Sequence, residues 1–89
     1  MNKVVELTPE QKLDGYQYAS QLRATDLDGL ITFQIEPHAT VTDVLREIRH
    51  EGSGINKVTM VRLESLKPHR GSDGFFDLPV THPVKVVLR

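Results

Sequence analysis

From Ile31 to Glu36 apolar and polar residues alternate, with Ile31, Phe33 and Ile35 on one side and Thr32, Gln34 and Glu36 on the other. An extended chain sends successive side chains to opposite faces, so this period of two predicts a strand, which Pro37 ends. Residues 57–63, Lys57-Val58-Thr59-Met60-Val61-Arg62-Leu63, form a second strand candidate. Its apolar residues do not alternate cleanly, as expected of a strand covered on both sides. Val84-Lys85-Val86-Val87-Leu88-Arg89 reads as a closing strand, and Val4-Val5-Glu6-Leu7 as a short opening one.

Between the first two strong strands the period changes. Val41, Val44, Leu45 and Ile48 stand at i, i+3, i+4 and i+7, the spacing of one helix face, with Arg46, Glu47 and Arg49 left for solvent. Thr40 suits an N-cap, Asp43 the positive end of a helix dipole, and Gly52 a C-terminal stop. The pattern therefore predicts a helix over about 40–51. An earlier helix is predicted over 9–23. It starts on Thr8-Pro9-Glu10-Gln11, where Thr8 and Gln11 can form a capping box, and carries Leu13, Tyr16, Ala19 and Leu22 on one side. Gly15 weakens that reading, and Tyr16, Tyr18, Ser20 and Leu22 also alternate as a strand would. Asp26-Leu27-Asp28-Gly29 is turn chemistry, with Gly29 the residue free to take a positive φ.

Strand, capped helix, strand, loop and terminal strand together predict a small α+β domain, a mixed sheet packed on one or two helices. The passage Ile31-Thr32-Phe33-Gln34-Ile35-Glu36-Pro37-His38-Ala39-Thr40-Val41-Thr42-Asp43-Val44-Leu45-Arg46-Glu47-Ile48 resembles the strand, Glu-Pro and helix of the ubiquitin-like (β-grasp) class. Residues 84–89 are similar to its last strand. Were 16–24 a strand, the resemblance would extend over about 19–89. It implies a β-grasp fold but does not by itself carry a function. Conjugation and sulfur carriage need a tail ending in Gly-Gly, and the sequence read here ends Leu88-Arg89. The resemblance therefore implies a non-conjugating role, that of a domain docking on a partner.

With 89 residues there is material for a single domain with one small core, 38% hydrophobic and 26% charged. The net charge of -1 provides no global field to draw in nucleic acid or an anionic membrane. Residues 1–36 carry -3 and residues 37–89 carry +2, a mild asymmetry. With no cysteine there is no disulfide, thiolate metal site or cysteine nucleophile. The opening residues lack a signal-peptide apolar run, so a cytoplasmic setting without membrane contact is the expectation.

Chemistry-bearing constellations are sparse. His38, His50, His69 and His82 are 12, 19 and 13 residues apart, which matches no short metal-ligand pair. Ser20, Ser53, Ser65 and Ser72 stand in no nucleophile elbow. Gly71-Ser72-Asp73-Gly74 lacks the Lys-Ser/Thr pair and helix start of a phosphate loop. No enzyme, cofactor or metal is expected; an enzyme would have to rely on His69 and Asp73. The sharpest local feature is Lys67-Pro68-His69-Arg70 followed by Phe75-Phe76. Lys67, His69, Arg70, Phe75 and Phe76 are thus the candidate binding residues, on a 67–79 loop or beside an exposed edge strand. A protein partner is the first expectation, and an edge strand could also pair two copies. Single-stranded nucleic acid is the alternative, with rings stacking on bases and Lys67, His69, Arg70, Lys85 and Arg89 on phosphates. Phe75 and Phe76 could equally anchor the loop to the core.

Overall fold

The computed structural model describes residues 8, 9, 11, 14–36, 39–68 and 74–89. Among them the elements are strands β1 (Tyr16–Tyr18), β2 (Leu30–Glu36), β3 (Ala39–Glu51), β4 (Val58–Leu63), β5 (Phe75–Pro79) and β6 (Pro83–Val87). Three 3-10 turns complete the set, at Ala19–Gln21, Ala24–Asp26 and Gly54–Asn56. The strands form one six-stranded sheet in the order β1-β6-β2-β3-β4-β5, and every pairing is antiparallel.

This corrects the α+β expectation and the β-grasp resemblance together. A β-grasp fold needs a helix laid across a mixed sheet. Here the sheet is wholly antiparallel, and residues 40–51, expected to supply that helix, lie in its longest strand, Ala39–Glu51. The helix-like spacing has a specific cause. Val41 pairs with Phe33 and Leu45 with Leu63, so both lie on the inner face. Between Leu45↔Leu63 and Glu47↔Arg62, β3 spends two steps against one on β4, a β-bulge that inserts Arg46. The extra residue shifts the alternation by one, and Ile48, opposite Val61, returns to the core side. A bulged strand thus buries positions i, i+4 and i+7. Val44, at i+3, lies opposite Leu30 on the outer face and is only 5% exposed.

The helix predicted over 9–23 also breaks up. Its capping box forms, with the Thr8 N–H donating to Gln11 Oε1 at 3.0 Å and the Gln11 N–H donating to Thr8 Oγ1 at 3.1 Å. Pro9 and Gln11 carry helical backbone geometry, while residues 10, 12 and 13 lie outside the described set. Gly15 then takes φ +88°, which no right-handed helix accommodates, and the chain leaves it as β1. The same i+3 device recurs downstream. The Tyr18 N–H donates to Gln21 Oε1 at 2.9 Å and the Arg23 N–H to Asp26 Oδ2 at 2.8 Å, each closing a single 3-10 turn.

The bulged strand also makes the core. In a flat sheet β2 and β5 would stand about 14 Å apart, three strand spacings. Phe33 of β2 and Phe76 of β5 instead meet edge to face, centroids 5.5 Å apart and planes at 78°. The sheet is therefore folded over on itself along β3, and its two halves enclose Ile31, Leu45, Val61, Leu78 and Val84. Among the described residues the margins do not pair with each other, but the chain after β1 crosses the gap. The Ala19 N–H donates to the His82 carbonyl at 2.8 Å and the Ser20 N–H to the Val80 carbonyl at 3.0 Å.

Two glycines are required by the backbone. Gly52, at φ +94°, opens the β3–β4 connection, and an added Cβ would sit 2.1 Å from the Asn56 carbonyl oxygen. Gly29 packs where a Cβ would lie 2.8 Å from Val86 Cγ1. Gly52→Ala should therefore cost more than a surface change, about 2 kcal/mol or more in urea unfolding. Phe76→Ala should cost about 3–5 kcal/mol and Asp77→Ala, one residue on, within about 0.5 kcal/mol. Equal losses at 76 and 77 would contradict the assigned faces of β5.

Candidate functional site

Phe75 and Phe76 are consecutive on a strand and so leave it on opposite faces. Phe76 enters the core against Phe33, and Phe75, opposite Arg62, lies on the outer face. Both are only 6% exposed. The Arg49 guanidinium covers the Phe75 ring at 4.7 Å from its centroid. Of the two readings the sequence offered for this pair, the buried rings follow the anchoring one: Phe76 sits in the core and Phe75 beneath an arginine. Lys67 is exposed at the end of the segment leaving β4, whereas His69 and Arg70 lie outside the described residues. Asp73 and most of Gly71-Ser72-Asp73-Gly74 lie outside them too. Of the other proposed phosphate contacts, Lys85 holds its ammonium 6.0 Å from the Tyr16 ring centroid. Arg89 donates from Nε to the Asp28 carbonyl at 3.1 Å.

The outer face near the bulge is held by two sets of charges. Arg46, the inserted residue, reaches Asp28 Oδ1 at 2.5 Å and also Glu64. Its guanidinium is held above its ordinary value, by the Glu64 hydrogen bond first. Glu47 accepts from Arg62 Nε at 3.1 Å and from Arg49 Nε at 3.2 Å. The Arg62 hydrogen bond leads in holding the Glu47 carboxyl below its usual range, and Arg49 adds to it. Asp43, expected at the positive end of a helix dipole, instead caps the chain leaving β4. Its Oδ2 accepts the N–H groups of Ser65 and Leu66, each at 2.7 Å, and its Oδ1 that of Val44 at 2.7 Å. Partial desolvation raises the Asp43 carboxyl, but these three N–H groups and Arg46 outweigh it and leave the pKa lowered.

The two described histidines act as pins. His50 Nδ1 is 2.9 Å from the Thr59 hydroxyl and its Nε2 is 3.0 Å from the Leu22 carbonyl. The carbonyl can only accept, so Nε2 carries a proton and donates to it, and Nδ1 shares a hydrogen bond with the Thr59 hydroxyl. That satisfies Thr59, which is fully buried. His82 Nε2 donates to the Gln34 carbonyl at 2.6 Å, and its ring meets Phe33 edge to face. Neither ring nitrogen bonded to a carbonyl is available as a base. Among the described residues no three His, Asp or Glu side chains come together as a metal would need.

One concave site was not anticipated. The β2–β6 ladder ends at Thr32↔Lys85, and beyond it the His82 side chain spans the two strands. A cleft of about 560 Å³ opens there, lined by Tyr16 of β1, Phe33 and Gln34 of β2, Thr40 of β3, and His82 and Pro83. Thr8 and Gln11 complete its wall. These residues are far apart in sequence and meet only through the antiparallel register, so no local motif marks them. No helix of the described residues is long and apolar enough to cross a membrane. No family model, curated protein or solved structure matches the chain.

The folded state holds the Asp43 and Glu47 carboxyls below their unfolded values, so the stability they contribute is present above about pH 4–5 and is lost as pH falls through the folded values. Asp43→Asn should lower stability at pH 7 by about 1–2 kcal/mol, because whichever way the amide turns, one of the two acceptor positions becomes an NH₂ that cannot accept the N–H facing it. It should also flatten the acid limb of a urea-midpoint profile between about pH 5 and 2. An unchanged acid limb would contradict the role given to Asp43.

Proposed function

We propose that the protein is a non-enzymatic docking module that receives an extended segment of a partner protein along β5. What supports this most is the position of that strand. β5 stands at the margin of the sheet with β4 as its one ladder partner among the described residues. The N–H and C=O groups along a sheet margin are a template for one more strand. β1, at the other margin, is three residues long, and the chain leaving it is stitched to the β5–β6 turn. β5 is the better receiving edge.

The chemistry of β5 favours a different protein over a second copy. Asp77 is exposed at its centre, and a symmetric pairing about that residue would set two carboxylates against each other. A partner strand with Lys or Arg opposite Asp77 meets no such cost. Burial of Phe75 and Phe76 also removes the stacking surface that single-stranded nucleic acid would use, so the protein reading is the one retained.

Capture of partners from native lysate, with and without nuclease, compares the wild type with Asp77→Arg. A protein retained after nuclease and lost with Asp77→Arg supports docking at β5. Partners that vanish with nuclease, or binding indifferent to Asp77→Arg, overturn it.

A further inference from the structure

We propose that the cleft between β2 and β6 is a binding site for a neutral saccharide. The groups that line the cleft, and those among them that remain uncommitted, select this ligand. Among the described lining residues there is no Lys, Arg, Asp or Glu, and the one ionisable imidazole, His82, already spends Nε2 on the Gln34 carbonyl. Phosphates, carboxylates and metal cations would find no countercharge among these described residues. At about 560 Å³ the cleft falls within the range of roughly 300–1,000 Å³ usual for small-molecule sites.

The walls are nonetheless rich in hydrogen-bonding groups. The Gln34 amide and the Thr40 hydroxyl project from neighbouring, paired positions on β2 and β3. The Gln11 amide and Thr8 hydroxyl use one oxygen each in their capping box, which leaves the Gln11 NH₂ and the Thr8 O–H free to donate. Amides and hydroxyls both donate and accept, which is the capacity of a sugar hydroxyl. The half-buried Tyr16 ring and the Pro83 ring supply flat apolar surface for the C–H face of a pyranose.

The competing occupant is a peptide, and the site suits it less. An extended peptide needs a backbone ladder, yet Pro83 has no N–H and the Gln34 carbonyl is taken by His82. A proline-rich helix presents carbonyl acceptors alone. It would satisfy the donors here and leave the acceptor oxygens of Gln34 and Thr40 unused. A hydroxylated ring satisfies both. The site does not involve β5, so this proposal stands or falls apart from partner docking.

Titration of ¹⁵N-labelled protein tests it. The probes are cellobiose, maltose and chitobiose, with decaproline and inorganic phosphate as competing chemistries. The expected result is saturable shifts at Tyr16, Gln34 and Thr40 with at least one disaccharide, at a Kd on the order of 1 mM. Gln34→Ala, an exposed position on a retained fold, should weaken that binding about fivefold. Shifts from none of the three disaccharides overturn the proposal. So does movement of the same resonances by decaproline or phosphate in place of the sugars, or saccharide binding indifferent to Gln34→Ala.

Discussion

The structure depends on a single inserted residue in its longest strand. Without the bulge at Arg46, β3 would keep one alternation from Ala39 to Glu51, and Ile48 would face away from the core that Val41 and Leu45 enter. With it, the inner face is apolar in both halves, and the strand serves β2 along its first part and β4 along its second. Bulges raise local twist and bend the strand that carries them. This bend brings Phe33 against Phe76 across what would otherwise be the width of three strands. In a chain of 89 residues, one sheet folded over itself lets the same strands wall both sides of a small core.

The fold line is reinforced from outside and inside. On the outer face the inserted Arg46 does not dangle, since Asp28 and Glu64 hold it from the two neighbouring segments. Leu45 exchanges backbone bonds with the same neighbourhood, accepting from the Asp28 N–H at 2.8 Å and donating to the Gly29 carbonyl at 2.9 Å. On the inner side His50 ties the far end of β3 to Thr59 on β4 and to Leu22 in the segment after β1. Exposed ion pairs each contribute little. Their position, at the point where the sheet turns, gives them a role in placing the bulge. The two surfaces proposed to bind follow from this geometry: a margin strand with one ladder neighbour among the described residues, and a cleft where two strands part and a histidine bridges them.

Much of the architecture was readable in the sequence, and its central element was misread. Strands expected at 31–36, 57–63 and 84–89 appear as β2, β4 and β6, because alternation and β-branched residues are local signals. The turn at residues 26–29 also forms, though the positive φ falls on Asp28, at 71°, and Gly29 is needed for its closeness to Val86. The segment 40–51 failed for a different reason. Val41, Leu45 and Ile48 carry the same spacing on a helix and on a once-bulged strand, and only the partners, Phe33, Leu63 and Val61, decide between them. Thr40, Val41, Thr42 and Val44 already leaned toward the strand as a β-branched run. Gly52 does end the element with a positive φ, as a helix stop would, but in a hairpin. The candidate site fared similarly. Adjacent aromatics read either as an exposed patch in a loop or as anchors to the core, and a strand at 75–79 makes them anchors on opposite faces. The cleft left no trace, since it is assembled from β1, β2, β3 and the start of β6.

The most direct test of this account is backbone NMR assignment of residues 39–51 with nuclear Overhauser contacts from the two core rings. A bulged β3 gives strand-type Cα and Cβ shifts on both sides of Arg46, cross-strand contacts between Ile48 and Val61, and ring-to-ring contacts between Phe33 and Phe76. Helical shifts running without interruption from Val41 to Ile48, with no Phe33–Phe76 contact, would contradict it.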